Sequence, residues 1–187
     1  MNQELQQIPA CTDEFDEQIC TTFTITFTAE ATDEVIDVDC LGPCAPEVLC
    51  VLEVTNPQTG QTAIYHIVFA SVQQLGPIQR WCYRVSVQGD PALSHWVLEL
   101  CNPPPMVTQV TRNGIPIPFN VGPQADLGGQ SGLKFDAGTT QADGVVLYCF
   151  DVMGQFDQVL RDVAAKGGPA PATVNPDCQL GPACPCP

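Results

Sequence analysis

Regular alternation between apolar and polar residues is the strongest pattern in this chain. In TTFTITFTAE, which begins at residue 21, Phe23, Ile25 and Phe27 alternate with threonines. A period of two with β-branched and aromatic residues is typical of a strand that is buried on one face. The same reasoning predicts seven further strands, at 48–55, 62–72, 80–88, 95–101, 107–112, 132–138 and 144–153.

Turn sequences such as NPQTG, RNG and DLGGQSG separate these segments. Short strands at this spacing indicate an all-β fold, either a β-sandwich or a jelly roll. One segment, 156–168, is compatible with a strand or a helix, because Val159, Leu160 and Val163 would share one helical face. We prefer the strand.

The two ends of the chain are predicted to be extended arms. Residues 1–20 are acidic and lack strong alternation, and the nine-residue step from Cys11 to Cys20 could span about 30 Å when extended. Residues 169–187 are rich in proline, which lacks the donor that a central strand needs. We therefore predict an N-terminal connector arm at 1–20, a β-sandwich domain at 21–168 and a Pro/Cys-rich tail at 169–187.

The charge balance is strongly acidic. Twenty-one acidic residues against six basic ones give a formal net charge of −15. Such a surface repels nucleic acids and anionic lipids, so we predict neither as a partner. No stretch approaches 18 apolar residues, so no membrane insertion is predicted.

The first twenty residues lack the basic and apolar regions of a secretory signal. We expect either that a signal has been removed or that the protein reaches an oxidising place by another route. Release from a lysing mother cell during sporulation is one such route.

Eleven cysteines in 187 residues require an explanation. Their close spacings, such as C-x3-C at Cys40 and Cys44 and C-x-C at Cys184 and Cys186, do not form the paired pattern of a zinc site. We therefore predict disulfides, no metal site and no cofactor. Because eleven is odd, at least one thiol must be free or bonded to another chain.

Two pairs of cysteines are candidates for intrachain disulfides. Cys82 and Cys101 lie on consecutive predicted strands and mirror each other about the turn GDPALS, which suits a cross-strand bridge. The alternative is that both are buried thiols. Cys40 and Cys44 flank a Gly-Pro turn that could bring them together as a structural staple.

Cysteine-flanked Leu-Gly-Pro occurs twice, as CLGPC at 40–44 and CQLGPAC at 178–184. Proline and glycine make a stiff, sharp turn that presents thiols on a defined path. A single domain of this size does not need so many bridges, so some are predicted to join subunits; the alternative is that each tail is bonded to its own domain. The inter-subunit candidates are, first, Cys11 and Cys20 and, second, Cys178, Cys184 and Cys186.

No catalytic motif is present, and we predict that the protein is not an enzyme. The chain has no G-x-S-x-G sequence. Ser94 and His95 are adjacent on a predicted strand, where neighbouring side chains point to opposite faces, so we expect no nucleophile–base pair there.

The motifs WCYRVSVQGDPALSHWVLELC, GLKFDAG, GVVLYCFDVMGQF and VAAKGG follow each other across residues 80–168. This order resembles a poorly characterised group of bacterial surface and secreted β-domains. The resemblance implies a β-sandwich on a cell or spore surface, without catalytic residues or a cofactor. In layout, the chain is similar to endospore appendage pilins, in which connector cysteines bond to preceding subunits.

Together these features predict an extracellular structural subunit whose partners are copies of itself. It would form a filament or layer on a cell or spore surface through exchanged arms or strands and disulfide cross-links. The alternative is a monomeric carbohydrate-binding or adhesion module, with Trp81 and Trp96 as candidates for its aromatic platform.

Overall fold

The structure is a computed structural model that describes residues 8–11, 20–23 and 48–184, the first two segments as backbone only. The chain divides into two units, Met1–Pro46 and Glu47–Pro187. In the first unit, strand β1 (Ile8–Cys11) pairs antiparallel with β2 (Cys20–Phe23).

The second unit is built almost entirely of strands. In chain order these are β3 (Leu49–Thr55), β4 (Thr62–Leu75), β5 (Ile78–Gly89), β6 (Leu93–Glu99), β7 (Val107–Arg112), β8 (Ile115–Pro116), β9 (Phe119–Pro123), β10 (Ser131–Phe135), β11 (Val146–Met153), β12 (Gln158–Gly167) and β13 (Thr173–Pro182). Two single 3-10 turns, Ala125–Leu127 and Gln141–Asp143, interrupt them.

These strands form two antiparallel sheets, which confirms the predicted all-β sandwich. The six-stranded sheet has the order β3-β4-β5-β11-β7-β8, and the five-stranded sheet has the order β13-β12-β6-β10-β9. All seven strands predicted between residues 48 and 153 are present. The short strands β8 and β9 were not predicted, because proline and glycine interrupt their alternation.

The core lies between the sheets and is rich in aromatic rings. Along β5 the buried side chains alternate with more exposed ones, so Trp81 and Tyr83 point inward. Trp96 stacks on Phe135 with ring centroids 3.9 Å apart, and Tyr83 meets the Trp96 ring edge-on. Both tryptophans are 0% exposed, so neither can form the surface platform that the carbohydrate-binding alternative requires.

The segment for which strand and helix were both open forms strand β12. It pairs with β6 on one side and β13 on the other. Val163, Ala164 and Ala165 are all buried. Val163 and Ala165 face the main core, whereas Ala164 faces away from it and packs against Val97 and Leu127. Because both faces of β12 are buried, its apolar residues do not alternate with polar ones, and the sequence pattern was therefore compatible with a helix as well as a strand.

The prediction of an extended C-terminal tail at 169–187 is wrong, because β13 is a strand of the five-stranded sheet. It lies at the edge, where proline is tolerated. The pairing with β12 shifts register between Arg161 and Val163, and Pro176 lies opposite this shift. The regular pattern of interstrand hydrogen bonds is interrupted there, so the missing N–H of Pro176 costs no hydrogen bond.

The other predicted boundary also differs. The compact sandwich unit begins at Glu47, not at residue 21. Of the strand predicted from residue 21, only the first residues are described, as part of β2, and the rest lies outside the described residues. No helix within the described segments has the length and hydropathy to cross a bilayer.

Candidate functional site

Three disulfides lie within the sandwich. They use every cysteine between residues 48 and 184 and join Cys50 to Cys178, Cys82 to Cys149, and Cys101 to Cys184.

The predicted pairing of Cys82 with Cys101 is not the one that the structure shows. The turn between β5 and β6 carries the chain from one sheet to the other, so these consecutive strands are not hydrogen-bonded neighbours. Instead Cys82 lies directly opposite Cys149 on β11, with the Cα atoms 4.1 Å apart. Beside this bridge, the Arg80 guanidinium donates two hydrogen bonds of 2.7 Å to the Asp151 carboxylate.

Cys178 and Cys184 were predicted to bond between subunits, but each is bonded within the chain. Because β13 pairs with the chain's own β12, the C-terminal segment stays beside the sandwich. The Cα atoms of Cys50 and Cys178 are 5.1 Å apart, and those of Cys101 and Cys184 are 5.2 Å apart. Both distances lie in the normal range for disulfides.

The other candidates lie wholly or partly outside the described residues. Cys11 and Cys20 are direct partners in the antiparallel pair β1–β2, so they are not the ends of a 30 Å extended step. Cys40, Cys44 and Cys186 lie outside the described residues, and their pairing remains a prediction.

The three bridges use six of the eleven cysteines. The five that remain are Cys11, Cys20, Cys40, Cys44 and Cys186. Because five is odd, at least one of them has no partner within this sequence and must stay a thiol or bond to a cysteine elsewhere.

One side of the sandwich is closed where the edge strands β3 and β13 meet. The Cys50–Cys178 disulfide joins the two strands covalently. Beside it, the fully buried Gln179 side chain donates from Nε2 to the carbonyl oxygens of Val48, at 3.0 Å, and Ile67, at 2.7 Å. The buried amide therefore joins the C-terminal strand to the other sheet.

Two further side chains of β13 cover the outer edge of β3. Asn175 donates to the carbonyl oxygen of Val51 at 3.2 Å, and Thr173 donates to that of Glu53 at 3.3 Å. An edge strand whose carbonyls are occupied in this way is a poor template for another chain.

The opposite side of the sandwich presents an open strand edge on β9. Gln124 donates its backbone N–H to the Gln130 carbonyl oxygen at 2.8 Å. Together with the register of β9 and β10, this bond shows which backbone groups of β9 point towards β10. In an antiparallel pair the backbone groups alternate in direction, so the N–H and C=O groups of Phe119 and Val121 face away from β10. Within the described segments these outward groups have no hydrogen-bond partner.

Two large apolar side chains lie exposed on β9 and β8. Phe119 is 39% exposed and Ile115, on the neighbouring β8, is 69% exposed. The edge formed by β8 is only two residues long, and Pro116 and Pro118 lack backbone donors. The two sides of the sandwich therefore differ: β13 covers the β3 edge, while β9 leaves outward backbone groups and an aromatic side chain accessible.

The expectation that Ser94 and His95 point apart is wrong. The pairing with β12 shifts from Lys166 opposite His95 to Gly167 opposite Leu93, which places Ser94 in a β-bulge. The Ser94 hydroxyl consequently lies 3.4 Å from His95 Nδ1, while His95 Nε2 lies 2.7 Å from an Asp126 carboxylate oxygen. The hydroxyl donates a hydrogen bond of 2.7 Å to the Lys166 carbonyl oxygen, so the backbone of β12 holds the serine side chain.

Charge is distributed unevenly between the two units. Residues 1–46 contain ten acidic residues and neither lysine nor arginine, so all six basic residues lie in the sandwich unit. One ion pair there joins Arg112 to Asp143 at 3.1 Å. The backbone N–H of Thr140, its hydroxyl and then Arg112 stabilise the charged carboxylate and lower the pKa of Asp143.

Comparison of the chain with models of known protein families, with curated proteins and with solved structures finds no match. The resemblance to bacterial surface β-domains and to endospore appendage pilins therefore stays a prediction.

Proposed function

We propose that this protein is a structural subunit that assembles with copies of itself into an extracellular filament or layer on a cell or spore surface. Three intrachain disulfides support an oxidising, extracellular location, because disulfides do not generally persist in a reducing cytosol. The proposed role is mechanical and not catalytic.

One observation carries this proposal. All six cysteines between residues 48 and 184 are bonded to each other, and an odd number, five, remains outside the three bridges. The sandwich therefore does not need these five for its own bridges, and at least one must find its partner outside this sequence or stay a thiol. A bond between copies uses that cysteine without a second kind of protein.

The open edge of β9 supports a non-covalent contact that accompanies the covalent one. An extended segment from another copy can add there as a strand, with its backbone bonded to Phe119 and Val121. The alternating segment 21–29 has the β-branched and aromatic composition that suits this role. Because donor segment and acceptor edge are different surfaces, the contact is head-to-tail and propagates into a filament unless it closes into a ring.

The carbohydrate-binding alternative is weaker than the sequence suggested. Its two candidate platform residues, Trp81 and Trp96, are both fully buried in the core. Binding of the reduced, monomeric chain to a glycan array would restore it.

Electrophoresis and electron microscopy of the full chain test the proposal. We expect non-reducing denaturing electrophoresis to show a ladder of multimers that collapses to monomer with reductant, and we expect microscopy to show filaments or sheets. The matched control replaces the five remaining cysteines by serine, which keeps the three sandwich disulfides and should run as monomer. Wild-type chains that migrate only as monomer would contradict covalent assembly.

The strand-addition part has its own test. Val121→Pro removes an N–H that faces away from β10, so it should leave the fold intact while blocking an added strand. Val121→Ala keeps the N–H and is the control. We expect filaments from the alanine variant and few or none from the proline variant; equal filament formation by both would exclude β9 as the acceptor.

A further inference from the structure

The Cys101–Cys184 disulfide has a cation placed against both of its sulfur atoms. Arg161, on β12, lies with Nη2 3.3 Å from Cys101 Sγ and 3.2 Å from Cys184 Sγ. The same guanidinium donates to the Pro182 carbonyl oxygen, from Nη2 at 2.7 Å and from Nε at 3.2 Å. These backbone bonds hold the charged group beside the bridge.

The second Leu-Gly-Pro segment makes this arrangement possible. Gly181 has no side chain, and a Cβ there would lie 2.9 Å from Cγ of Arg161. The missing Cβ lets the arginine stem cross β13, and the carbonyl of the following proline accepts the guanidinium. The repeated motif thus has a local role at its C-terminal copy: it leaves room for a cation next to Cys184.

This bridge differs from the other two in access. Cys184 is exposed, whereas its partner Cys101 is only 3% exposed. In the Cys82–Cys149 bridge both residues are buried, and in the Cys50–Cys178 bridge one is buried and the other half-buried. A thiolate in solution can therefore reach Cys184 most easily.

On the basis of the proposed function, we propose that the Cys101–Cys184 disulfide is the site of thiol–disulfide exchange through which copies of this chain become cross-linked. A thiolate from the N-terminal unit of a second copy attacks Cys184 Sγ from the side opposite Cys101. The new bond forms between the incoming sulfur and Cys184, and the Cys101–Cys184 bond breaks. The electron pair leaves on Cys101 Sγ as a thiolate.

The exposure of Cys184 and the burial of Cys101 set the direction of attack, and Arg161 stabilises the thiolate that leaves. A neighbouring guanidinium lowers the pKa of a thiol, and a thiol of lower pKa leaves faster in exchange. The incoming thiol loses its proton to solvent before attack. One disulfide is consumed and one is formed, so the reaction needs no oxidant or reductant. Its product is a subunit joined at Cys184 with a free thiolate at Cys101.

The chemical step can be measured apart from assembly. Full-length protein with the five remaining cysteines replaced by serine is incubated with glutathione at pH 8, quenched with acid and mapped by mass spectrometry. We expect the glutathione mixed disulfide to form about tenfold faster at Cys184 than at Cys178 or Cys149. Arg161→Gln should slow the reaction at Cys184 about tenfold and leave that at Cys178 unchanged.

The reaction at Cys178 is also the control for unfolding of β13. If Arg161→Gln raises exchange at both Cys178 and Cys184, the variant has loosened the strand, and Arg161→Lys decides. A lysine variant that keeps at least a third of the wild-type rate at Cys184 supports the role of the cation. Equal rates at the three bridges would overturn the assignment. So would an Arg161→Gln variant that reacts at Cys184 and Cys178 as fast as wild type does, or an Arg161→Lys variant that falls below a third of the wild-type rate at Cys184.

Peptide mapping of wild-type multimers separates this inference from the proposed function. Cross-links that include Cys184 support both. Multimers linked only through other cysteines would refute the exchange site and leave the proposed function standing. Selective glutathione addition at Cys184 in chains that never multimerise would refute the proposed function, while the reactivity of this bridge would stand.

Discussion

Replacement of Gln179 by methionine tests the physical account of the closed side of the sandwich. The Gln179 side chain is fully buried, donates to the carbonyl oxygens of Val48 and Ile67, and accepts from the backbone N–H of Leu180 at 2.9 Å. Methionine has a similar length and shape, so the change removes hydrogen bonds without opening a large cavity.

The magnitude follows from how deeply each bond is buried. Loss of the partner of a buried carbonyl, as at Ile67, costs about 2 kcal/mol, and loss of each of the two half-buried bonds costs about 1 kcal/mol. The greater apolar surface of methionine returns roughly 1–2 kcal/mol. We therefore expect the free energy of unfolding to fall by about 2–3 kcal/mol.

Urea unfolding followed by tryptophan fluorescence measures this change, since Trp81 and Trp96 are both buried in the core. With a slope of about 2 kcal/mol per molar urea, the midpoint should fall by roughly 1–1.5 M at unchanged slope. The matched control is Thr173→Val, which removes a single exposed bond at the same edge and should cost about 0.5 kcal/mol or less.

The comparison between the two variants can refute the reasoning. If Gln179→Met costs no more than Thr173→Val, the buried amide does not hold the two sheets together at this edge. In that case the disulfide and apolar packing alone would account for the closure.

Three further predictions concern stability. Replacing both Cys50 and Cys178 by alanine should lower the free energy of unfolding, measured by urea unfolding, by about 4 kcal/mol. The two cysteines are 128 residues apart along the chain, but the Cys101–Cys184 disulfide shortens the loop that their bridge closes to about 57 residues. A loss below 1 kcal/mol would contradict the chain-entropy estimate. Because its hydrogen bonds lower the pKa of Asp143 in the fold, that carboxylate stabilises the protein above about pH 4, and this contribution is lost as the pH falls through the lower folded value. Asp143→Asn should therefore show a smaller drop in urea midpoint from pH 7 to pH 3 than wild type, and an equal drop would argue against it. Burial, and then the charge of Asp90, raise the pKa of Tyr65 to about 12, so its contribution is complete below pH 10 and is lost as the pH rises towards 12. Tyr65→Phe should cost about 1 kcal/mol at pH 8 through the lost bond to the Pro91 carbonyl and should flatten the alkaline loss in melting temperature, whereas an unchanged alkaline slope would show that another group titrates.

Strand existence could be predicted from the sequence because alternation is a local property. The buried side chains of β3, namely Cys50, Leu52 and Val54, follow the period of two that the sequence displays. The same reasoning failed where local order breaks down. At the Ser94 bulge a single extra residue turned the side chains of neighbours towards each other, and in β12 burial of both faces hid the alternation.

The candidate site was only partly predictable. The odd number of cysteines could be counted, but the partner of Cys82 could not be found from its spacing to Cys101, because the intervening turn leads from one sheet to the other. The signal for the correct partner was weak: Cys149 lies on another predicted strand, and nothing in the sequence says that this strand is the neighbour.

The all-β class, the net negative charge and the odd number of cysteines follow from the amino-acid sequence alone, since strand periodicity, charge and count are independent of how distant segments meet. Three features become visible only in the folded chain: β13 belongs to the sandwich, β3 is covered while β9 is open, and Arg161 lies against the sulfur atoms of Cys101 and Cys184. Those features depend on which strands become neighbours. Strand pairing is chosen by the packing of the whole core and not by any short stretch of chain.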